Sequence, residues 1–320
     1  MSHTTAQPLH IAFAVDEHYV QPMGVNIASI LAHNPDLDMI FHVFCIELST
    51  DHQDRLQHLA QQSGKTIHIH PLPSLPALTE PEHSGHYSQA IHLRLSIPQA
   101  LAPITDRVLY LDADMLCLGE ISKLAQLDLS EVTVAAVRDF NALSMRTRLS
   151  YQHCTLRDYF NAGLLLINIP RWLEQRVSER TLDKMLNPTL KLKYRDQDAL
   201  NLVLDAQVRV LDSVWNHQCS LTRSLRKAQL ELDAPADTRF IHFIGPLKPW
   251  RSWNPHASRA LFVQYQSQSP WAGLDLDDHF SERERYVYTR FMYRTLFRQR
   301  RYLQGMRWYL RFRALKAKAA

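Results

Sequence analysis

Two carboxylates separated by one residue, Asp112 and Asp114, follow the apolar run Val108-Leu109-Tyr110-Leu111. The run reads as a buried strand. Side chains alternate along an extended chain, so both carboxylates are expected on one side and Ala113 on the other. Like charges that close need a proton or a cation between them, and a hard divalent ion with positions open to phosphate oxygens is one remedy. An Asp-rich turn after a strand is the plain alternative. A second group, His242 to Trp250, puts a His on a short strand, Gly245-Pro246 in a turn and Lys248 before Pro249-Trp250. His can ligate a metal, Gly lets backbone approach a ligand, and Lys neutralises phosphate. A third group, Asp196-Gln197-Asp198, opens a helix, where acids also serve as simple N-terminal caps. The chain has eight glycines, none arranged as G-x-G-x-x-G or G-x-x-x-x-G-K-[ST]. The loop-cradled nucleotide folds are thereby excluded in their standard forms, and a metal and side chains would have to hold any nucleotide's phosphates.

These groups must be positioned by the elements around them. Leu9–Val15 reads as a first buried strand, stopping at Asp16-Glu17-His18-Tyr19; a helix over 24–32, a strand over 39–46, a helix over 53–62 and a strand over 66–70 follow. This β-α-β-α-β alternation with near-continuous apolar strands predicts an α/β fold, with a mixed, mainly parallel sheet covered by helices on both faces. Ligands of such sheets gather at the carboxyl ends of strands, where Asp16 to Tyr19 and Asp112 to Asp114 both fall. Residues 71–85 read as a loop and 88–101 as a helix carrying Arg94. A strand over 133–137 closes on Arg138-Asp139. Residues 141–158 read as a polar, mobile segment over the site, 164–169 as a buried run and 171–186 as one helix.

Composition narrows the class. With 46% hydrophobic and 21% charged residues the chain is that of a folded protein, and no apolar run reaches membrane-spanning length. The first ten residues lack a signal-peptide pattern, and four scattered cysteines form no C-x-x-C pair. The expectation is a reducing cytoplasm with cysteines as small core residues. Charge is uneven: the chain is +4 overall, residues 281–320 hold twelve Lys and Arg against two Glu (+10), and the remainder is therefore −6. In this tail Arg290, Arg294, Arg298 and Arg301 fall at helical spacing, as do Arg300, Arg307, Arg311 and Lys318, and Met292, Leu296, Leu303, Met306 and Leu310 make a separate apolar stripe. That pattern predicts basic amphipathic helices lying on an anionic membrane surface; a terminal helix packed on the body with a solvated basic face is the alternative. No recognition motif accompanies the charge, so nucleic acid is not an expected partner. The expected division is a catalytic domain over 1–270 and a basic, aromatic, helical extension over 271–320.

Taken together and in order, Asp112-Ala113-Asp114, Tyr159-Phe160-Asn161-Ala162-Gly163, Asp196-Gln197-Asp198 and His242 to Trp250 resemble glycosyltransferase family eight. The narrower likeness is to the bacterial lipopolysaccharide α-glucosyl- and α-galactosyltransferases of the outer core, which Arg251-Ser252-Trp253 and Ser269-Pro270-Trp271 also fit. The resemblance implies a GT-A fold. It also implies a UDP-glucose or UDP-galactose donor, a divalent ion (Mn2+ or Mg2+) and retention at the anomeric carbon. It implies Asp112, Asp114 and His242 as metal ligands, Ala14, Asp16 and Tyr19 around uridine, and Gly245 and Lys248 on the diphosphate. Arg94, Asp139, Asn161, Ala162, Asp196 and Gln197 would line the sugar pocket, with Asp139, Asp196 and Gln197 nearest the chemistry. The implied acceptor is the lipopolysaccharide core, and the implied location is peripheral, on the cytoplasmic face of the inner membrane. His18 stands where related sequences often have Asn. Two other classes stay open on the sequence: a nucleotide-sugar or polyanion-binding protein without turnover, and a nucleotidyltransferase.

Overall fold

The structure, a computed structural model, describes residues 7–73 and 90–318. The first half runs β1 (Leu9–Ala14), α1 (Val20–His33), β2 (Met39–Cys45), α2 (Thr50–Ser63), β3 (Thr66–Pro71), α3 (Ala90–Leu101), β4 (Arg107–Leu111), β5 (Met115–Cys117), α4 (Ser122–Ala125) and β6 (Val134–Arg138). Next come α5 (Ala142–Ser150), β7 (Phe160–Asn168), α6 (Ile169–Glu174), α7 (Val177–Leu186), α8 (Arg195–Val203), β8 (Val208–Leu211) and β9 (His217–Gln218). The chain closes with α9 (Leu221–Lys227), β10 (Phe240–His242), α10 (Ser258–Gln266), α11 (Glu282–Arg298) and α12 (Tyr302–Lys318). Most of the loop expected over 71–85 lies outside the described residues.

Seven strands form one sheet in the order β3-β2-β1-β4-β7-β6-β8. Every pairing in it is parallel except those of β7, which runs antiparallel to both β4 and β6. Alternate residues of the central strands bury on opposite faces. Leu109, Leu111, Leu164 and Leu166 pack with α1 and α2, whereas Val108, Tyr110, Leu165 and Ile167 pack with α3, α6, α7 and α8. The continuous apolar character of these strands follows from that double cover. On the first face α1 approaches the fully buried Trp271 so closely that a side chain at Gly24 would lie 2.1 Å from its ring.

A small second sheet, β5-β10-β9, sits at the end of β4. Its register matters most for function. β10 pairs antiparallel with β5, opposing His242 to Met115, and Phe243 N–H donates to the carbonyl of Asp114 (2.9 Å). A residue 128 positions downstream is thereby fixed beside the acidic pair.

Several local expectations are corrected. Asp112 to Asp114 do not continue β4 but form a turn into β5. The segment over 141–158 holds a helix, α5, whose Ala142, Met145 and Leu149 bury with Leu156 and Tyr159. The helix expected over 171–186 breaks in two at Arg176, which adopts a left-handed backbone (φ 52°). The tail is helical as expected, and its two helices, α11 and α12, form a hairpin that turns at Arg300 (φ 59°). Its apolar stripe divides: Leu296 is buried on α11, while Leu303 (86% exposed), Met306 and Leu310 face outward on α12. Val287 and Phe291 of α11 join a cluster with Leu221 and Leu225 of α9 and Phe262 of α10, so the first helix of the tail is part of the body.

Candidate active site

Three elements converge at the carboxyl end of β4. The turn after β4 brings Asp112 and Asp114, β10 brings His242, and the loop beyond it brings Lys248. Ligand atoms of Asp112, Asp114 and His242 lie within 4.8 Å of one another, and among the described residues no other three His, Cys, Asp or Glu side chains meet this way. His242 Nε2 is 3.1 Å from Asp114 Oδ1 and 3.7 Å from Asp112 Oδ2. Two cations, the buried Lys248 and the half-buried Arg94, already face the acids. Lys248 Nζ bonds Asp114 Oδ2, and Arg94 on α3 donates to Asp112 Oδ1 (2.6 Å) and Asp196 Oδ2 (2.6 Å). Tyr110 O–H donates to the same Asp112 oxygen at 2.6 Å.

The electrostatics follow from burial and pairing. Burial alone would raise the Asp114 carboxyl, but Lys248 and His242 hold it well below the usual carboxylate range. Lys248 is buried too, yet Asp114 keeps its ammonium above the ordinary lysine value. Asp196 behaves differently: burial pushes its carboxyl up in spite of Arg94.

The imidazole of His242 is oriented by a chain of amides. Asp139 accepts from Gln197 Nε2 (3.2 Å) and from Asn161 Nδ2 (3.4 Å). Gln197 Oε1 accepts from Ala162 N–H (3.0 Å) and Asn161 Nδ2 (3.3 Å). Asn161 Oδ1 accepts from Asn216 Nδ2 (2.9 Å), which turns Asn216 Oδ1 toward His242 Nδ1 at 3.1 Å. A carboxylate only accepts, so the direction of every bond is set from Asp139 outward. His242 Nδ1 therefore donates to Asn216 Oδ1, which leaves Nε2 as the ring nitrogen that faces the acids. Asn216, fully buried, has no sequence signature beyond an ordinary loop asparagine. Its role appears only when β9 is seen beside β10.

Two cavities flank the acidic turn. The smaller, about 320 Å³, is lined by Asp112, Asp114, Asp139, Phe140, Asn141, Asn161, Tyr194, Gln197, Ser220, His242, Ile244 and Gly245. The larger, about 640 Å³, is lined by His18, Tyr19, His52, Lys248, Trp250 and Arg251, with Asp277 and His279 among the others. The Lys248–Asp114 pair stands between them. Tyr19 meets Trp250 edge-to-face at 5.8 Å. Gly245, at φ 85°, has open space where a side chain would be.

Of the residues singled out in the sequence, Arg94 and Asp196 lie behind the acidic turn, paired to each other. Ala14 and Ala162 are buried strand positions. Asp16 caps the short turn Glu17–Tyr19, accepting from His18 and Tyr19 N–H, and does not line the larger cavity. Asp198 is buried away from both cavities, accepting from Arg148, Tyr159 O–H and the N–H groups of Lys193 and Tyr194. Phe140, Tyr194 and Ser220 went unnoticed in the sequence, as isolated residues in weakly patterned segments. Burial pushes the thiols of Cys45, Cys117 and Cys219 up to about 11, so they are unreactive.

The profile of glycosyl transferase family 8 matches residues 10–254, and that of the glycosyl transferase family 8 C-terminal region matches 256–316. The chain belongs to glycosyl transferase family 8. It is similar to the lipopolysaccharide 1,3-galactosyltransferase of Salmonella typhimurium, 32% identical over 97% of this chain and 92% of that one. It is also similar to the lipopolysaccharide glucosyltransferase WaaO of Escherichia coli K12, 30% identical over 94% and 89%. Among solved structures, the galactosyltransferase LgtC in complex with donor and acceptor sugar analogues superposes with a TM-score of 0.69, at 23% identity, over 82% of this chain and 96% of that one. That likeness shows the fold, GT-A.

Two carboxylates and one imidazole at this spacing fit a divalent cation as a donor set. Gly163 gives the fit its tightness: a Cβ there would lie 2.3 Å from His242 Cε1 and 2.9 Å from Asp112 Oδ2.

Proposed function

We propose that this family 8 enzyme moves glucose or galactose from a UDP-sugar to a hydroxyl of the lipopolysaccharide core, retaining configuration to give an α linkage. The observation that carries the reading is the convergence of Asp112, Asp114 and His242 beside Lys248, with a cavity on either side. The relatives named above supply the acceptor class.

On this reading the larger cavity takes the nucleoside against Tyr19, the smaller takes the hexose among Asp139, Asn161 and Gln197, and the diphosphate crosses at Lys248 and Gly245. Asp112, Asp114 and His242 hold Mn2+ or Mg2+, with the nitrogen donor favouring manganese over magnesium. The ion supplies charge stabilisation to the departing diphosphate. Lys248 adds a buried positive charge at the same oxygens, where low dielectric strengthens it. Arg94 holds Asp112 and Asp196 in fixed orientation.

Retention has two chemical routes: a covalent intermediate on a protein nucleophile, or attack by the acceptor on the face the leaving group vacates. The geometry favours the second. Asp196 is buried and clamped to Arg94, and Gln197 is engaged by hydrogen bonds at both its oxygen and its nitrogen. Asp196 lines neither cavity, and Gln197, which lines the smaller one, has both polar ends occupied. Asp139 and Gln197 orient the sugar.

The basic hairpin α11–α12 is proposed to dock on the anionic cytoplasmic face of the inner membrane, where the acceptor lies. Among the described residues no helix is long and apolar enough to cross a membrane. Residues 1–270 then act as the catalytic unit and 271–320 as the docking unit.

The test is direct. Purified protein incubated with UDP-glucose or UDP-galactose and manganese is expected to hydrolyse one donor slowly and to transfer it to a truncated lipopolysaccharide. Absence of hydrolysis and transfer with every UDP-sugar would leave a binding protein.

A further inference from the structure

The larger cavity is not built by the catalytic segment alone. Asp277 and His279, from the connection that leads into α11, line it together with Tyr19, Lys248 and Trp250. These two residues lie beyond the segment matched by the catalytic family profile, inside the C-terminal one.

The connection is tied to the lysine loop by main chain and side chain at once. Asp277 N–H donates to the Trp250 carbonyl (3.1 Å), and Ser252 N–H donates to the Asp277 carbonyl (2.9 Å), forming a short parallel bridge between Arg251 and Asp277. Trp253 Nε1 donates to the His279 carbonyl (3.0 Å), and its ring stacks on Phe280 at 4.2 Å. Arg251 joins the two sides. Its guanidinium bonds Asp277 through one nitrogen and Glu284 Oε1 through Nε (3.1 Å). Glu284 is only 3% exposed and is itself held by the capping box of α11, its Oε2 accepting from Ser281 N–H at 2.8 Å. A buried carboxylate with all its partners in place holds one geometry, and so therefore does the arginine between Trp250 and Ser252.

We infer that residues 277–284 complete the donor pocket, with Arg251 as the positioning residue that fastens them to Lys248-Pro249-Trp250. The inference rests on the reading that the larger cavity takes the nucleotide. The C-terminal extension is then a wall of the donor site as well as a docking element. Removing the whole tail would weaken donor binding in addition to releasing the protein from a bilayer, because Glu284 leaves with it.

Full-length Asp277→Ala and Glu284→Gln variants test this, with UDP plus manganese as the titrated probe. Asp277 is exposed, so its variant keeps the fold. Both are expected to weaken UDP binding about tenfold and to raise the donor KM by the same factor, with kcat within about twofold, since neither residue reaches the reacting atoms. Failure of wild-type protein to bind UDP would remove the underlying reading. Wild-type binding with unchanged affinity in both variants would overturn the inference alone. A role confined to holding the helix would lower the melting temperature of Glu284→Gln and leave UDP affinity intact, which also overturns it. If Glu284→Gln does not fold, Asp277→Ala decides.

Discussion

Gly163 and His242 approach so closely that a methyl group on the glycine would sit 2.3 Å from the imidazole Cε1 and 2.7 Å from Nδ1. The glycine is buried in β7 beneath the acidic turn, where the neighbouring atoms belong to short, fixed side chains. Gly163→Ala should displace His242 from Asp114, with overpacking strain of about 1–3 kcal/mol. The expected outcome is at least tenfold weaker Mn2+ binding, read by electron paramagnetic resonance on protein whose far-ultraviolet circular dichroism is unchanged.

Asp196 pairs with Arg94, which also holds Asp112. Asp196→Asn keeps the shape but removes half of the charge that positions the guanidinium. UDP-sugar affinity is expected to stay within a few-fold while turnover falls by about two orders of magnitude or more, the pattern of an interaction important mainly in the transition state. Near-normal turnover would disprove the assignment.

Asp198 is a different case, although it sits only two residues away. Its side chain is fully enclosed and accepts from Arg148, Tyr159, Lys193 N–H and Tyr194 N–H. Replacing it by Asn turns an amide donor toward groups that are donors already. The expected loss is about 3 kcal/mol in urea unfolding, as for other broken buried pairs.

A ladder of histidines crosses β1, β2 and β3. His42 is fully buried, 2.9 Å from His10 and 3.0 Å from His70 through its two ring nitrogens, and it stacks near His68. Burial, then the neighbouring imidazoles, lowers its pKa from 6.5 to about 3, and burial lowers those of His10 and His70 too. The unfolded chain binds these protons below pH 6.5 and the folded chain resists them. Stability is therefore complete above about pH 6.5 and is lost as pH falls toward 3, by about 1 kcal/mol per pH unit for His42. Thermal unfolding between pH 7.5 and 4.5 should show this slope, and His42→Phe should flatten it.

Leu303, Met306 and Leu310 line the outer side of α12, flanked by Arg300, Arg307 and Arg311. Replacing the three apolar residues by Asp should reduce co-sedimentation with phosphatidylglycerol-containing vesicles at least tenfold and leave donor hydrolysis unchanged. Raising the salt concentration should weaken wild-type binding, because the arginine contribution is screened.

Much of this architecture was legible in the residues, and what was not has physical reasons. Leu9 to Ala14 and Met39 to Cys45 announced themselves because strands covered on both faces are apolar throughout. The same uniformity hid the direction of β7: a run such as Leu164-Leu165-Leu166-Ile167 is buried on both faces whichever way it points. Asp112 and Asp114 do converge with His242, though a turn and not alternation along a strand brings them together. α5 was missed because Ala142, Met145 and Leu149 are its only buried positions, and the exposed Leu143 blurs their spacing. The apolar stripe of the tail was visible, but its division at Arg300 was not, since no glycine or proline marks that left-handed residue.

The antiparallel pairing of β10 with β5 also has a consequence for biosynthesis. The contacts that bring His242 and Lys248 to the acidic turn join residues far apart in the chain: 128 positions from Asp114 to His242 and 134 from Asp114 to Lys248. A nascent chain carries the two aspartates long before their partners leave the ribosome. The acidic turn therefore cannot meet His242 and Lys248 until about three quarters of the sequence has emerged. On the proposed reading, an ion held by Asp112, Asp114 and His242 would bridge parts of the polypeptide that lie far apart in sequence.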